Sequence, residues 1–178
     1  MLKLQYVFIF IFTLICPLIA GAQIPSLSEY ELFSLASQQV QSGNLDFAFL
    51  YFNNLLEQFP SSRYSEQALF AVGEYYFIER NYRQATTTFL KFIDRYPDSV
   101  ASVFALCYLR EIAQYLGDES TTEKLTQLII SCQRLSLVFR ESKTISYVSA
   151  LKRKLCVRYF IDKVEFSING ELFARINY

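Results

Sequence analysis

The feature that most restricts this chain is a correspondence at an interval of 37 residues. Leu69, Val72, Gly73, Asn81, Ala85, Phe89 and Pro97, moved back by that interval, land on Leu32, Leu35, Ala36, Asn44, Ala48, Phe52 and Pro60. Each copy holds apolar residues at helical spacing, an interrupting asparagine, a second helical run and a closing proline. Proline stops the run because it lacks an amide hydrogen and its ring clashes with the preceding turn. Each copy therefore predicts a helical hairpin, and copies of this size stack to bury the faces that one unit cannot bury alone.

Local signals place the helix ends. Ser28 and Glu31 form a capping box for the first helix, Gly43 closes it, and Asn44 suits the N-cap of the next. Ser61 or Ser62 caps the second pair, which spans Ala68 to Ile78 and Tyr82 to Tyr96 around Asn81. Asp98 or Ser99 caps a third pair, whose stripe from Val103 to Leu116 ends at Gly117, and Ser120 with Glu123 reads as a further capping box. The spacing of Ile145, Val148, Leu151 and Leu155 predicts a last helix over 142–156, with Lys152, Arg153 and Lys154 at its C-terminal end where the dipole favours cations; a patch for anionic lipid is the alternative reading of these three charges. Beyond it Phe160, Val164, Phe166 and Ile168 alternate before Asn169-Gly170, a pair suited to a type I′ turn. The expected class is all-α, an antiparallel helix-pair superhelical array with a short C-terminal β-hairpin. The expected divisions are a signal peptide at 1–22, helical repeats at 23–156, and at 157–178 a hairpin tail or the start of an incomplete further domain.

Residues 1–22 carry one cation at Lys3, an apolar run and the ending Ala20-Gly21-Ala22, the pattern of a secretory signal. Export to the periplasm is expected. An uncleaved anchor is the alternative, and the membrane is then touched only through this segment. Ile15 before Cys16 departs from the small residue that lipid attachment needs. Cys107, Cys132 and Cys156 remain, read as buried free thiols, with a Cys107–Cys132 bridge between neighbouring helices as the alternative.

Composition closes several classes of chemistry. The chain has no histidine, which removes the commonest general base and metal ligand together. The 17 basic residues balance the 17 acidic ones without a basic tract, so no nucleic-acid footprint exists. No CxxC pair marks a metal site, and the five glycines are too scattered for a phosphate loop. Carboxylate pairs such as Glu74 with Glu79, or Asp118 with Glu119, aim at no common point. Neither a catalytic site nor a cofactor is expected.

Leu32, Leu35 and Ala36 with Ala48, Phe52 and Pro60, and the closer copy Leu69, Val72, Gly73, Tyr76, Ala85, Phe89 and Pro97, resemble the tetratricopeptide repeat. Phe59, Pro60, Ser62, Ala68, Leu69, Tyr75 and Tyr76, and then Tyr96, Pro97, Ser99, Ala105 and Leu106, are similar to repeats of two bacterial envelope families. One is the outer-membrane β-barrel assembly lipoprotein of the BamD type, the other the periplasmic cell-division coordinator associated with Tol-Pal. The resemblance implies a concave groove lined by the first helix of each pair. Matching positions are Tyr30, Phe33, Ser37, Val40 and Gln41, then Gln67, Phe70, Glu74, Phe77 and Ile78, then Phe104, Glu111 and Tyr115. Phe33, Phe70 and Phe77 are equally suited to packing between helices. With the lysine, arginine and asparagine of carboxylate clamps missing, the implied ligand is an apolar or aromatic peptide. The implied role is a non-catalytic protein-interaction scaffold in the envelope, in outer-membrane protein assembly. A structural module of a larger envelope protein and the substrate-recruiting subunit of an envelope hydrolase are the alternatives.

Overall fold

The structure is a computed structural model that describes residues 27–132 and 143–177; residues 1–22 and Cys16 lie outside these. Among the described residues, six helices form three antiparallel pairs: α1 (Glu29–Gln41) with α2 (Leu45–Gln58), α3 (Ser65–Ile78) with α4 (Tyr82–Arg95), and α5 (Ser102–Tyr115) with α6 (Glu119–Ser131). Four strands follow, β1 (Lys143–Val148), β2 (Lys154–Tyr159), β3 (Lys163–Ile168) and β4 (Glu171–Asn177), in one antiparallel sheet ordered β1-β2-β3-β4.

The 37-residue interval is visible in the turn chemistry. Ser62 and Ser99 each accept the amide two residues on, that of Tyr64 and of Ala101. Ser65 and Ser102 donate their hydroxyls back to the carbonyls of Phe59 and Tyr96, at 3.1 and 2.6 Å. The prolines at 60 and 97 end one helix, and these serines then satisfy the loosened backbone groups while aiming the chain into the next. The turns inside the pairs repeat as well, with left-handed residues at Gly43, Arg80 and Gly117. Glycine adopts that conformation freely, whereas Arg80 holds it against the steric cost of its Cβ.

The caps follow the sequence reading at Ser28, whose box with Glu31 is complete, and at Asn81, which accepts the Gln84 amide. They depart from it four times: Tyr64 and Ala101, instead of Ser61 or Ser62 and Asp98 or Ser99, hold the N-cap positions of α3 and α5, and neither side chain caps the helix. Asn44 occupies the N-cap but turns its side-chain amide to Gln39. The cap of α6 is Asp118, accepting the Thr121 amide at 3.0 Å, instead of Ser120; left-handed Gly117 ends α5 early enough for the next residue to serve.

Gly73 sits where α3 packs tightly on a side chain of α4. A Cβ there would meet Phe89 Cε1 at 2.7 Å and Cδ1 at 2.9 Å, so the tight neighbour is an aromatic ring. Phe89 is fully buried and stacks on Tyr108 at 5.0 Å, leaving it no room to retreat. Gly73→Ala is therefore expected to destabilise the chain by about 1–3 kcal/mol, read as a lower urea midpoint, although alanine favours helix elsewhere.

The helix predicted over 142–156 is replaced by strand, turn and strand. Its apolar spacing fits either period over so short a stretch. Thr144, Ile145, Tyr147 and Val148 are β-branched or aromatic and suit a pleated, half-buried surface. Alternation decides: Ile145 and Tyr147 turn inward while Val148 is 60% exposed, the reverse of what the helical stripe requires. Lys152, the centre of the supposed basic helix end, lies at φ 60° in the β1–β2 turn. Asn169 and Gly170 form the expected left-handed hairpin turn between β3 and β4. The hairpin is thus half of a four-stranded sheet. Of the three cysteines, all free, Cys107 alone is buried, Cys156 is half-buried on β2, and Cys132 is exposed at the end of α6.

Candidate functional site: the face of the first helices

The inward face of the sheet lies on the first helices of the pairs, the surface on which the sequence placed a groove. Tyr147 of β1 meets Phe70 of α3 at 5.3 Å and Phe104 of α5 at 6.0 Å. Phe166 of β3 meets Phe104 at 6.1 Å and Tyr108 at 5.6 Å. Leu151, in the β1–β2 turn, is buried in the cluster formed by Leu32, Ala36, Phe52 and Val72 of the first two pairs. Residues 145–176 of the same chain thereby cover this face across all three pairs.

The positions expected to line the groove divide accordingly. Phe70, Glu74 and Phe104 have no exposed surface. Phe70 sits among Phe89, Phe92, Tyr108 and Tyr147, which is the packing alternative for that ring. Phe33 is half-buried and stacks on Tyr64 at 4.5 Å. Glu111 is half-buried in an ion pair with Arg110, and burial raises its carboxyl above the usual range. Tyr30 is 62% exposed and Gln67 is open to solvent. Phe77 is half-buried and meets Phe173 of β4 at 5.8 Å, and Ile78 is exposed.

Glu74 is the one carboxylate sealed beneath the sheet among the described residues. Its Oε1 accepts the Tyr108 hydroxyl at 2.9 Å. Arg153, from the β1–β2 turn, brings Nη1 to 3.8 Å, and Ser149 of the same turn adds a hydroxyl. Loss of solvation pushes the Glu74 carboxyl up to about 7, and the pull of Ser149, Arg153 and Tyr108 offsets only part of it. The group joins α3, α5 and the sheet turn at one point. The signal for it was available in sequence, because a glutamate inside the run LFAVGEYYF must find partners if buried; Tyr108 and Arg153 themselves carried none.

An aromatic ledge remains accessible where the turns of the second and third pairs meet the β3–β4 hairpin. Phe77 touches Tyr82 at 5.8 Å and Phe173 at 5.8 Å, and Tyr82 touches Tyr115 at 4.8 Å. A bulge in β4 opposite Phe166 and Ser167 supplies the extra residue, so Phe173 leans toward the helices beside Ala174. Tyr115 is 69% exposed, and the next residue, Leu116, opens a cleft of about 180 Å³ walled by Leu90, Leu109, Ile112 and Leu125. Tyr82 and Phe173 were not singled out in the sequence, since only the tertiary structure brings both to Phe77.

Three antiparallel helix pairs at a constant interval, sharing one face and one ledge, define a tetratricopeptide-type array. The chain belongs to the YfiO family, described as outer membrane lipoproteins, which matches residues 25–154. A relative, the outer membrane protein assembly factor BamD of Caulobacter vibrioides (strain ATCC 19089 / CIP 103742 / CB 15), is 26% identical over 98 residues, covering 52% of this chain and 32% of the relative. The chain thus spans about a third of that relative's length. Among solved structures, a crystal structure of a protein binding protein from Bacteroides ovatus ATCC 8483 is 18% identical and aligns with a TM-score of 0.38, covering 60% of this chain and 58% of the other. Membership ties the chain to the cell envelope. No helix among the described residues is long and apolar enough to cross a membrane. Strands β3 and β4 lie beyond the residues matched by the family.

Proposed function

We propose that the chain is a non-catalytic protein-interaction scaffold on the periplasmic side of the outer membrane, acting in outer-membrane protein assembly. The observation that carries this reading is the family match over 25–154, the stretch that forms the array and the turn docked on it. The name of the Caulobacter relative, an assembly factor, points the same way.

The sheet occupies much of the groove expected from sequence, so a partner is taken by three of the members left accessible, Phe77, Ile78 and Tyr115, together with Tyr82, Leu116 and Phe173. Exposed aromatic and aliphatic side chains on a rigid ledge suit an apolar or aromatic segment of a partner protein, because such residues dominate the energetics of interfaces. Tyr115→Ser with Leu116→Ser is expected to reduce capture of the partner from envelope extract by about tenfold or more, with circular dichroism and melting unchanged. Undiminished capture by this folded variant rejects the ledge as the binding surface.

A further inference from the structure

Charge is distributed unevenly between the two layers. Residues 143–177 hold seven lysines and arginines against three acidic residues, whereas residues 27–132 hold seven against thirteen. The strand register brings part of this charge to the outward face of the sheet: Val148 lies opposite Lys154, and Thr144, Arg158, Glu165 and Arg175 form one row across all four strands, whereas Arg153 turns to Glu74 beneath the sheet and Lys143 lies opposite buried Tyr159. Glu165 is already held by Lys163 at 3.1 Å and Arg175 at 2.9 Å. Among the described residues no ion pair engages Lys154 or Arg158, and both are exposed. Aliphatic side chains project beside these cations. Val148 is 60% exposed and Leu172 53%, on the same face, and Ile161 in the β2–β3 turn is 76% exposed.

From this we infer that the outward face of the sheet docks on an anionic phospholipid surface. Such a surface supplies headgroup phosphates for Lys154 and Arg158 and an apolar layer just beneath for the aliphatic tips, the pairing that interfacial binding uses. The acidic array on the other side orients the molecule, since the same surface repels it. An acidic protein face satisfies the cations but gives Val148, Leu172 and Ile161 nothing to enter. The inference is independent of the protein-binding ledge, which lies at the rim where the sheet meets the helices.

The test uses the full chain with vesicles of a zwitterionic phospholipid, alone or mixed with an anionic one, and follows amine acylation of each lysine by mass spectrometry. The N-terminal apolar segment is present in both cases, so the comparison reads the sheet. Lys154 is expected to react more slowly on anionic vesicles only and to recover in high salt, while Lys91 and Lys124 of the array react alike on both. Arg158→Ser is expected to lower the docked fraction about fivefold. Equal Lys154 rates on the two vesicle types overturn the inference. So does protection that appears without vesicles and grows with protein concentration, which assigns the face to the acidic array of a second copy.

Discussion

Phe70→Ser unfolds both layers of the protein together. The ring is fully buried and touches Phe89 and Phe92 of α4, Tyr108 of α5 and Tyr147 of β1. Removing it leaves a cavity under the sheet, at about 3–5 kcal/mol for truncation of a buried phenylalanine. The serine hydroxyl adds about 1–3 kcal/mol if it finds no acceptor there. The sum takes most of the roughly 5–15 kcal/mol that holds an ordinary domain folded. Helical and strand signals in circular dichroism are expected to be lost in one transition, at a much lower urea concentration. Phe77→Ser is the control: that ring is half-buried at the rim, and its loss is expected to cost less than half as much. A Phe70→Ser chain as stable as the parent means that the sheet does not rest on α3.

Stability is expected to fall as pH rises from about 4.5 to about 7, through the window set by Glu74. The carboxyl moves from 4.5 to about 7 on folding because burial disfavours its charge. Within that window the native state binds more protons than the unfolded chain, so its extra stability is complete below 4.5 and has gone above 7. The span corresponds to about 3 kcal/mol. Exposed carboxyls held low by hydrogen bonds, such as Glu31 with Ser28 and Asp118 with Thr121, act at more acid pH and in the opposite sense. The difference between the parent and Glu74→Gln therefore isolates the buried group. Glutamine retains an acceptor for the Tyr108 hydroxyl and carries no charge at any pH. The variant is expected to show a shallower profile from 4.5 to 7, keeping the slope that half-buried Glu111 adds in the same sense, and to exceed the parent at pH 8 in urea unfolding. A parent profile that is itself flat contradicts the burial of an ionisable Glu74.

Much of the helical layer was legible because its signals are local. The 37-residue interval, the prolines at 60 and 97, the Ser28–Glu31 box and the Asn169-Gly170 turn each act within a few residues, and the three helix pairs and the last hairpin stand where these signals put them. Residues 142–156 misled for an equally local reason. Ile145, Val148, Leu151 and Leu155 fit a helical stripe, and only pairing with β2 and β3, which supplies hydrogen bonds along the strands, favours the extended form. Arg80 gave no sign of its left-handed backbone, because the glycine that serves at 43 and 117 is absent there. Cys132 looked like a buried thiol amid apolar neighbours, yet it falls one residue past the end of α6, on the exposed side.

The candidate site was legible in composition and not in accessibility. Phe70, Glu74 and Phe104 lie on the shared face of the first helices, but their burial depends on Tyr147, Leu151, Arg153 and Phe166, more than 40 residues away along the chain. Repeat spacing determined by itself that this protein is a stack of three helix pairs with aromatic side chains on a common face, since helix period and capping need no distant partner. Tertiary structure alone decided that the chain's own sheet covers that face, and that a cationic surface is turned outward as a result. Burying the apolar side of four strands against the apolar side of the array removes both from water at once, an outcome that no short stretch of either encodes.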